Sequence, residues 1–328
     1  MAAALASGSD IESGSPLPES GVLQLPQFTL ACGKVLQAEL AWQSWGTNTS
    51  PVVVVLGGIS AGRNLGSWWN EQCGVDRVLD PRQFRLISID WLGGADASTG
   101  PAHGEAFPAI DSRDQANAIL TLLNHLGIAR ICAVVGASYG ACVAQHLAVL
   151  LGSRLDQLIV IGAAHRASPW ALALRTLQRA GIVAATDSAA REDALHRARQ
   201  IAVLGYRTPE ELERRFGELT PDVGVLGWLD AHGARFVRRF PAESFLCLSA
   251  SLDAHRCDPA TIKVPTTVVG IAEDLLVPLA LIEEFSRRLG GSSRFVVIES
   301  EFGHDAFLKE QGAIAKALQQ AILTESAV

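Results

Sequence analysis

Six short, unbroken apolar runs punctuate the chain: 51–58 (PVVVVLGG), 85–94 (RLISIDWLGG), 130–138 (RICAVVGAS), 157–164 (QLIVIGAA), 265–274 (PTTVVGIAED) and 294–300 (RFVVIES). Each is rich in Val and Ile and ends among Gly, Ser, Asp or Ala. Hydrophobicity that runs on without alternating is the pattern of strands covered on both faces, as in a parallel sheet. Between the runs lie segments with apolar residues at helical spacing. One spans 112–128 (SRDQANAILTLLNHLGI) and closes on Gly127, and another spans 312–326 (GAIAKALQQAILTES). Strand and helix in alternation predict an α/β fold with a mostly parallel, doubly wound sheet.

The alternation breaks between about Arg166 and Pro259. There the strand-like runs give way to Arg-, Ala-, Leu- and Glu-rich text of helical character. Thr208, Pro209 and Glu211 read as a helix start, with threonine at the cap, proline at the first helical position and glutamate at the third. The expected organisation is a loose tail over 1–22, an α/β core over 23–165 and 260–328, and a helical lid over 166–259 inserted into that core.

Bulk properties narrow the function classes. The 328 residues are 48% hydrophobic with a net charge of −7, which argues against a nucleic-acid partner. The one basic cluster, 232–240 (HGARFVRRF), has acidic residues close on both sides and reads as a solvated helix face. Six cysteines, at 32, 73, 132, 142, 247 and 257, form no Cys-x-x-Cys pair and no metal-ligand spacing, so no metal site is expected. The N-terminal stretch lacks a basic region followed by an apolar one, and no stretch has the length and apolarity of a membrane span. A soluble cytoplasmic protein is expected.

Candidate chemistry begins at GASYG (136–140), a G-x-S-x-G pattern between a strand run and a helical run. A nucleophile on such a sharp turn needs small neighbours, because strand and helix approach closely there. Alone the pattern is weak, since Ser138 could simply fill a crowded junction. In this fold the acid follows the serine in the chain and the histidine comes last. Asp274 and His304 stand in that order after strand runs, at the carboxyl ends where α/β sheets bind ligands. Taken singly, Asp274 could be a helix cap and His304 a loop residue; the three together favour a nucleophile. The oxyanion would be met by the N–H groups of Tyr139 and Ile59, the latter following Gly57–Gly58.

At this point the chain resembles the homoserine O-acetyltransferase family of α/β-hydrolase-fold acyltransferases. FGHDAFLKE (302–310) is similar to the family's YGHDAFL hallmark. LAWQSWGT (40–47), WLGGADASTGP (91–101), the helix text at 107–128, ARQIAVLGYRTPEELERRF (198–216), SLDAHRCDP (251–259) and EDLLVPL (273–279) also have counterparts. The likeness spans roughly residues 24–325. It implies Ser138 as nucleophile, Asp274 as orienting acid and His304 as general base. The implied reaction is ping-pong transfer of an acetyl or succinyl group from acyl-CoA, a co-substrate and not a bound cofactor, to the hydroxyl of L-homoserine in methionine synthesis. Asp305 would meet the substrate's α-ammonium and Arg179 its α-carboxylate, with Arg175 one turn away as the competitor. A homodimer through the lid is also implied. The chain departs from the pattern at GGISAGRN (57–64), at SYG (138–140), and between Arg179 and Ala198, where the usual tyrosine is missing. These departures leave the acyl donor open, with Arg63 either meeting a succinyl carboxylate or facing solvent. L-Serine as acceptor, or water in an esterase, are the alternatives.

Overall fold

The computed structural model describes residues 17–101 and 107–323; the expected N-terminal tail lies, up to residue 16, outside the described residues. Eight strands form one sheet: β1 (Glu19–Thr29), β2 (Val35–Trp45), β3 (Val52–Leu56), β4 (Arg85–Ile89), β5 (Ile131–Ala137), β6 (Leu155–Ile161), β7 (Thr266–Ile271) and β8 (Ser293–Ile298). Their order is β1-β2-β4-β3-β5-β6-β7-β8. The neighbours from β4 through β8 run parallel, while β1 and β2 are antiparallel additions at one edge. The six apolar runs are β3 to β8. The edge strand β1 shows no continuous hydrophobicity because it alternates, burying Leu23 and Leu25 while Val22 and Gln24 face water. Glu19 already pairs with Ser44, so the core begins four residues before the expected boundary at 23.

Successive residues of each central strand feed opposite faces of the sheet. Val54, Ile87, Val134 and Leu158 join the core beneath α2 (Ser112–His125) and α3 (Tyr139–Leu151). Val53, Leu86, Val135 and Ile159 join the core on the other side, under the short α1 (Leu65–Trp68) and α11 (Gln311–Leu323). The start of α2 is fixed by a capping box. Asp111 accepts from the Asp114 N–H at 3.0 Å, and Asp114 accepts from the Asp111 N–H at 3.0 Å.

Between β6 and β7 the chain leaves the sheet and builds α4 (Pro169–Ala184), α5 (Ser188–Tyr206), α6 (Pro209–Phe216), α7 (Val225–Val237) and α8 (Ala242–Ala254). Thr208 caps α6 as its sequence predicts, accepting from the Glu211 N–H at 3.1 Å. The departing and returning chains lie side by side: Arg166 and Arg256 form an isolated antiparallel bridge, and the Cys257 N–H donates to the His165 carbonyl at 3.1 Å. After β7 come α9 (Leu279–Arg287) and, beyond β8, a tight turn at Gly303–Asp305 that leads into α10 (Ala306–Lys309).

Candidate active site

Ser138 sits between β5 and α3 at φ 55°, ψ −119°, a backbone conformation that side-chain-bearing residues rarely adopt. The surroundings enforce it. A Cβ on Gly136 would lie 2.5 Å from the Gly140 carbonyl, and one on Gly140 would collide with the Leu56 carbonyl. The Ser138 N–H donates to Ile161 on the neighbouring strand at 2.9 Å, and the Gly140 N–H to Gly57 at 2.8 Å. Sheet and helix thus grip the turn from both sides, and the hydroxyl is left at the carboxyl end of β5.

His304 and Asp274 meet that hydroxyl from two other strand ends. His304 Nε2 is 2.9 Å from Ser138 Oγ, and His304 Nδ1 is 2.6 Å from Asp274 Oδ2. A carboxylate only accepts, so the proton belongs on Nδ1, and Nε2 is then the acceptor facing the serine O–H. Asp274 is itself held by its other oxygen, which accepts from the N–H groups of Leu276 at 2.8 Å and Val277 at 3.0 Å. Asp274 is therefore an orienting acid and no helix cap: α9 begins only at Leu279, with Pro278 at its cap, and the second oxygen holds the loop that leads there. Burial acts to lower the His304 pKa, but the Asp274 charge and hydrogen bond outweigh it, Asp305 adds to them, and the net shift is upward from 6.5. Such an imidazole is a strong proton acceptor for the serine.

The N-terminal end of α3 points at the same spot. Ala141 and Cys142 N–H groups turn back to the Ser138 carbonyl and Gly140 is taken by Gly57, which leaves the Tyr139 N–H for a developing oxyanion. Ile59, with Gly58 and Ser60, lines the cavity above Ser138. The Tyr139 side chain faces away, fully buried, with its hydroxyl 2.7 Å from Ser251 Oγ.

Helices α4, α5 and α8 roof this cavity, and its charged lining differs in part from expectation. Asp305 lines it, held by the Arg207 Nε at 3.0 Å on one oxygen. Arg179 is not on the wall: its Nη1 lies 2.6 Å from Asp253 and donates to Ser249 at 2.8 Å. Arg175, its competitor, is on the wall. Arg63 is no free cation either. It pairs with the buried Asp90 at 2.8 Å, and its own N–H donates to the same carboxylate at 2.7 Å.

Among the lining residues missed in the sequence are Arg199 and Tyr206. Arg199 faces the cavity with no carboxylate partner among the described residues, its Nε buried without a hydrogen bond, and its guanidinium 5.6 Å from the Tyr206 ring and 4.8 Å from that of Phe236. Tyr206 lines the same wall, its ring 5.9 Å from that of His304. A tyrosine therefore does stand in the site, seven residues after Arg199 and on the same face of α5. That spacing, two helical turns along a stripe containing the buried Ala198 and Ala202, was the available signal.

The geometry can form and resolve a serine ester in a cavity walled by charges of both signs. A profile for the alpha/beta hydrolase fold matches residues 51–311. A homoserine O-succinyltransferase of Xanthomonas campestris is 41% identical over 88% of this chain and 80% of its own length. A homoserine O-acetyltransferase of Thermus thermophilus is 35% identical over 76% of this chain and 70% of its own. Among solved structures, a homoserine O-acetyltransferase from Bacillus anthracis superposes at a TM-score of 0.83 with 16% identity, covering 94% of this chain and 98% of that one. An esterase reaches 0.81 with 20% identity, covering 93% and 100%, so the shape alone does not separate transferase from hydrolase. With this sequence identity beside the site's geometry, the chain belongs to the homoserine O-acyltransferase family of α/β-hydrolase-fold enzymes.

Proposed function

We propose that this protein transfers an acyl group from acyl-CoA to the hydroxyl of L-homoserine, through an ester on Ser138. The observation that carries the reading is that charges of both signs wall the Ser138 cavity, among them the guanidinium of Arg199, without a carboxylate partner among the described residues, and the carboxylate of Asp305. A zwitterionic amino acid is complementary to both, with its α-carboxylate on Arg199 and its α-ammonium on Asp305. An esterase acting on neutral esters has no use for either charge.

In the first half-reaction His304 takes the Ser138 proton and Oγ attacks the thioester carbonyl, while the N–H groups of Tyr139 and Ile59 hold the oxyanion. The carbon–sulfur bond breaks, and the imidazolium proton leaves with the CoA thiolate. In the second, His304 takes the proton of the homoserine hydroxyl, whose oxygen attacks the Ser138 ester. The Oγ–acyl bond then breaks and the proton returns to Ser138. Asp274 keeps Nδ1 protonated and the ring in line throughout. Helices α4 to α8 serve as a lid that favours the amino-acid acceptor over water.

The donor is read as one that carries a free carboxylate, succinyl-CoA over acetyl-CoA. Arg175 lines the cavity, and its charge reaches both His304 and Cys142, which is one helical turn beyond Ser138. This reading replaces Arg63 in that role. Two copies are expected to pair through α4, whose exposed face carries Trp170, Ala173 and Leu177 at helical spacing. No helix among the described residues is long and apolar enough to cross a membrane, and no group of three or more metal-ligating side chains stands among them.

The deciding experiment is thiol release from succinyl-CoA and acetyl-CoA, each with L-homoserine, L-serine or no acceptor, and with product mass determined. Release that depends on homoserine and yields its O-acyl ester is expected. Ester hydrolysis indifferent to any amino acid would overturn the proposal in favour of a hydrolase.

A further inference from the structure

Arg175 is held in an unusual way. Its Nε and Nη2 both approach a single oxygen, Oδ1 of Asp253, each at 2.6 Å. Asp253 is buried at 8% side-chain exposure, and Arg175 at 14%. A guanidinium has five N–H groups arranged as two usable forks, one along the Nε–Nη2 side and one across the Nη1–Nη2 end. Asp253 occupies the side fork and leaves the end fork, on a residue that lines the Ser138 cavity.

The charges around it do not balance. Asp253 also faces Arg179, whose Nη1 lies 2.6 Å from Oδ2, close enough for charge pairing but without the angle of a hydrogen bond. Arg175 and Arg179 stand one turn apart on α4, and Ser249 and Asp253 one turn apart on α8, so the two helices meet as a ladder. Among the described residues no other carboxylate pairs with either arginine. One carboxylate against two guanidiniums leaves a positive charge over, in a largely buried place that opens on the cavity. Uncompensated charge of this kind is costly unless an anion joins it.

We infer that Asp253 is a positioning residue for donor selection: it clamps Arg175 by one edge so that the other edge forks the free carboxylate of a dicarboxylic acyl group on the donor. Arg179 adds the second positive charge that keeps the cluster cationic after Asp253 is counted. The inference rests on the proposed acyl transfer at Ser138, and acts through Arg175 and not on the reacting atoms.

Two variants test it, Asp253→Asn, which keeps the shape and removes the charge, and Arg175→Lys, which keeps the charge and removes the second fork. In each, kcat/KM for succinyl-CoA is expected to fall about tenfold or more through KM, the size of a lost charge-assisted contact, while acetyl-CoA changes less than about threefold. A readout independent of turnover uses free succinate against labelling of Ser138 by a fluorophosphonate. Succinate is expected to slow labelling of the wild-type protein but not of either variant, and acetate to slow none. Equal losses for both donors, or succinate protection that survives Asp253→Asn, would overturn the inference. A wild-type protein that uses acetyl-CoA and rejects succinyl-CoA would overturn it too, yet leave acyl transfer to homoserine standing. If Asp253→Asn does not fold, as judged by its thermal transition, Arg175→Lys decides alone.

Discussion

Arg207 grips Asp305, a residue of the cavity wall, by one carboxylate oxygen, Nε to Oδ2 at 3.0 Å. Arg207 is itself buried and shared with Glu211 at 3.5 Å, which fixes the whole arm. Asp305 is therefore a held acceptor and no wandering surface acid.

Replacing that carboxylate by an amide is expected to weaken acceptor binding. A hydrogen bond to a charged group contributes about 1.5–3 kcal/mol, so Asp305→Asn should raise KM for homoserine about tenfold to a hundredfold, with a smaller change in kcat. Initial rates at saturating donor, with homoserine varied, check this. A drop in kcat at unchanged KM would instead place Asp305 in the chemical step.

The pH profile follows from the direction of the His304 shift. Burial, the largest single effect, pulls its pKa down, but the charge and hydrogen bond of Asp274 with the charge of Asp305 together raise it by more, so it lies above the ordinary 6.5. Only the neutral imidazole accepts the Ser138 proton, so kcat/KM should fall as pH drops through that raised value, and the acid limb should sit above pH 6.5. Asp274→Asn removes that residue's share of the upward push; the limb should then move to lower pH while the rate drops by orders of magnitude. The stability sign is opposite to that of a paired carboxylate. A group whose folded pKa is raised favours the folded state when protonated, so its contribution is fully present below the unfolded pKa and is lost as pH rises through the folded one. Thermal midpoints of the wild type and of His304→Gln across pH 5.5 to 9 should therefore converge toward high pH.

How much of this was open to reading depends on what each residue does locally. The elbow was legible because close packing at Gly136 and Gly140 excludes side chains, and such exclusion writes itself into a short pattern. Asp274 and His304 were legible from chain order at strand ends. Strands β3 to β7 were legible because both of their faces are largely covered, and β8, more open at the sheet edge, because its text still runs apolar from Phe295 to Ile298. Strands β1 and β2 were not: β1, at the edge and half open to water, alternates, which over a few residues is a faint signal, and Gln37, Glu39 and Gln43 interrupt the apolar text of β2. The lid arginines were hardest. Arg175, Arg179 and Arg199 look alike on helices of similar text, and only the position of Asp253 on a distant helix decides which guanidiniums are neutralised. Pairing across elements leaves no local mark.

The strain at Ser138 has a stability consequence. Holding a residue with a Cβ at φ 55°, ψ −119° costs about 1–3 kcal/mol, and glycine avoids most of that. Ser138→Gly should therefore abolish turnover yet stabilise the fold by about 1 kcal/mol, once the greater freedom of glycine in the unfolded chain is subtracted. Urea titration should show a higher midpoint at unchanged slope. A lower midpoint would mean that contacts of the serine side chain outweigh the backbone strain.

The α4 surface offers a test of assembly. Trp170 is 57% exposed and Leu177 69% exposed, two turns apart on one face. Leu177→Asp places a charge at one end of that stripe, on its most exposed residue. If two copies meet there, sedimentation should show a dimer for the wild type and a monomer for the variant, with the fold intact by circular dichroism. A monomeric wild type at micromolar concentration would dismiss the pairing.

Arg199 separates the two half-reactions. Its guanidinium faces the cavity near the Tyr206 and Phe236 rings without a carboxylate partner among the described residues, so under the proposed function it is expected to take the acceptor's α-carboxylate and to be dispensable for acylating Ser138. Arg199→Gln keeps a polar side chain but loses the charge. Rapid mixing with acyl-CoA alone should still give a burst of CoA close to one per active site, because that step needs only Ser138, His304, Asp274 and the oxyanion donors. Adding homoserine should then speed turnover far less than in the wild type, with KM for homoserine raised about tenfold or more. Loss of the burst itself would move Arg199 from the acceptor to the donor side of the cavity, and Asp305 alone would be left to choose the amino acid.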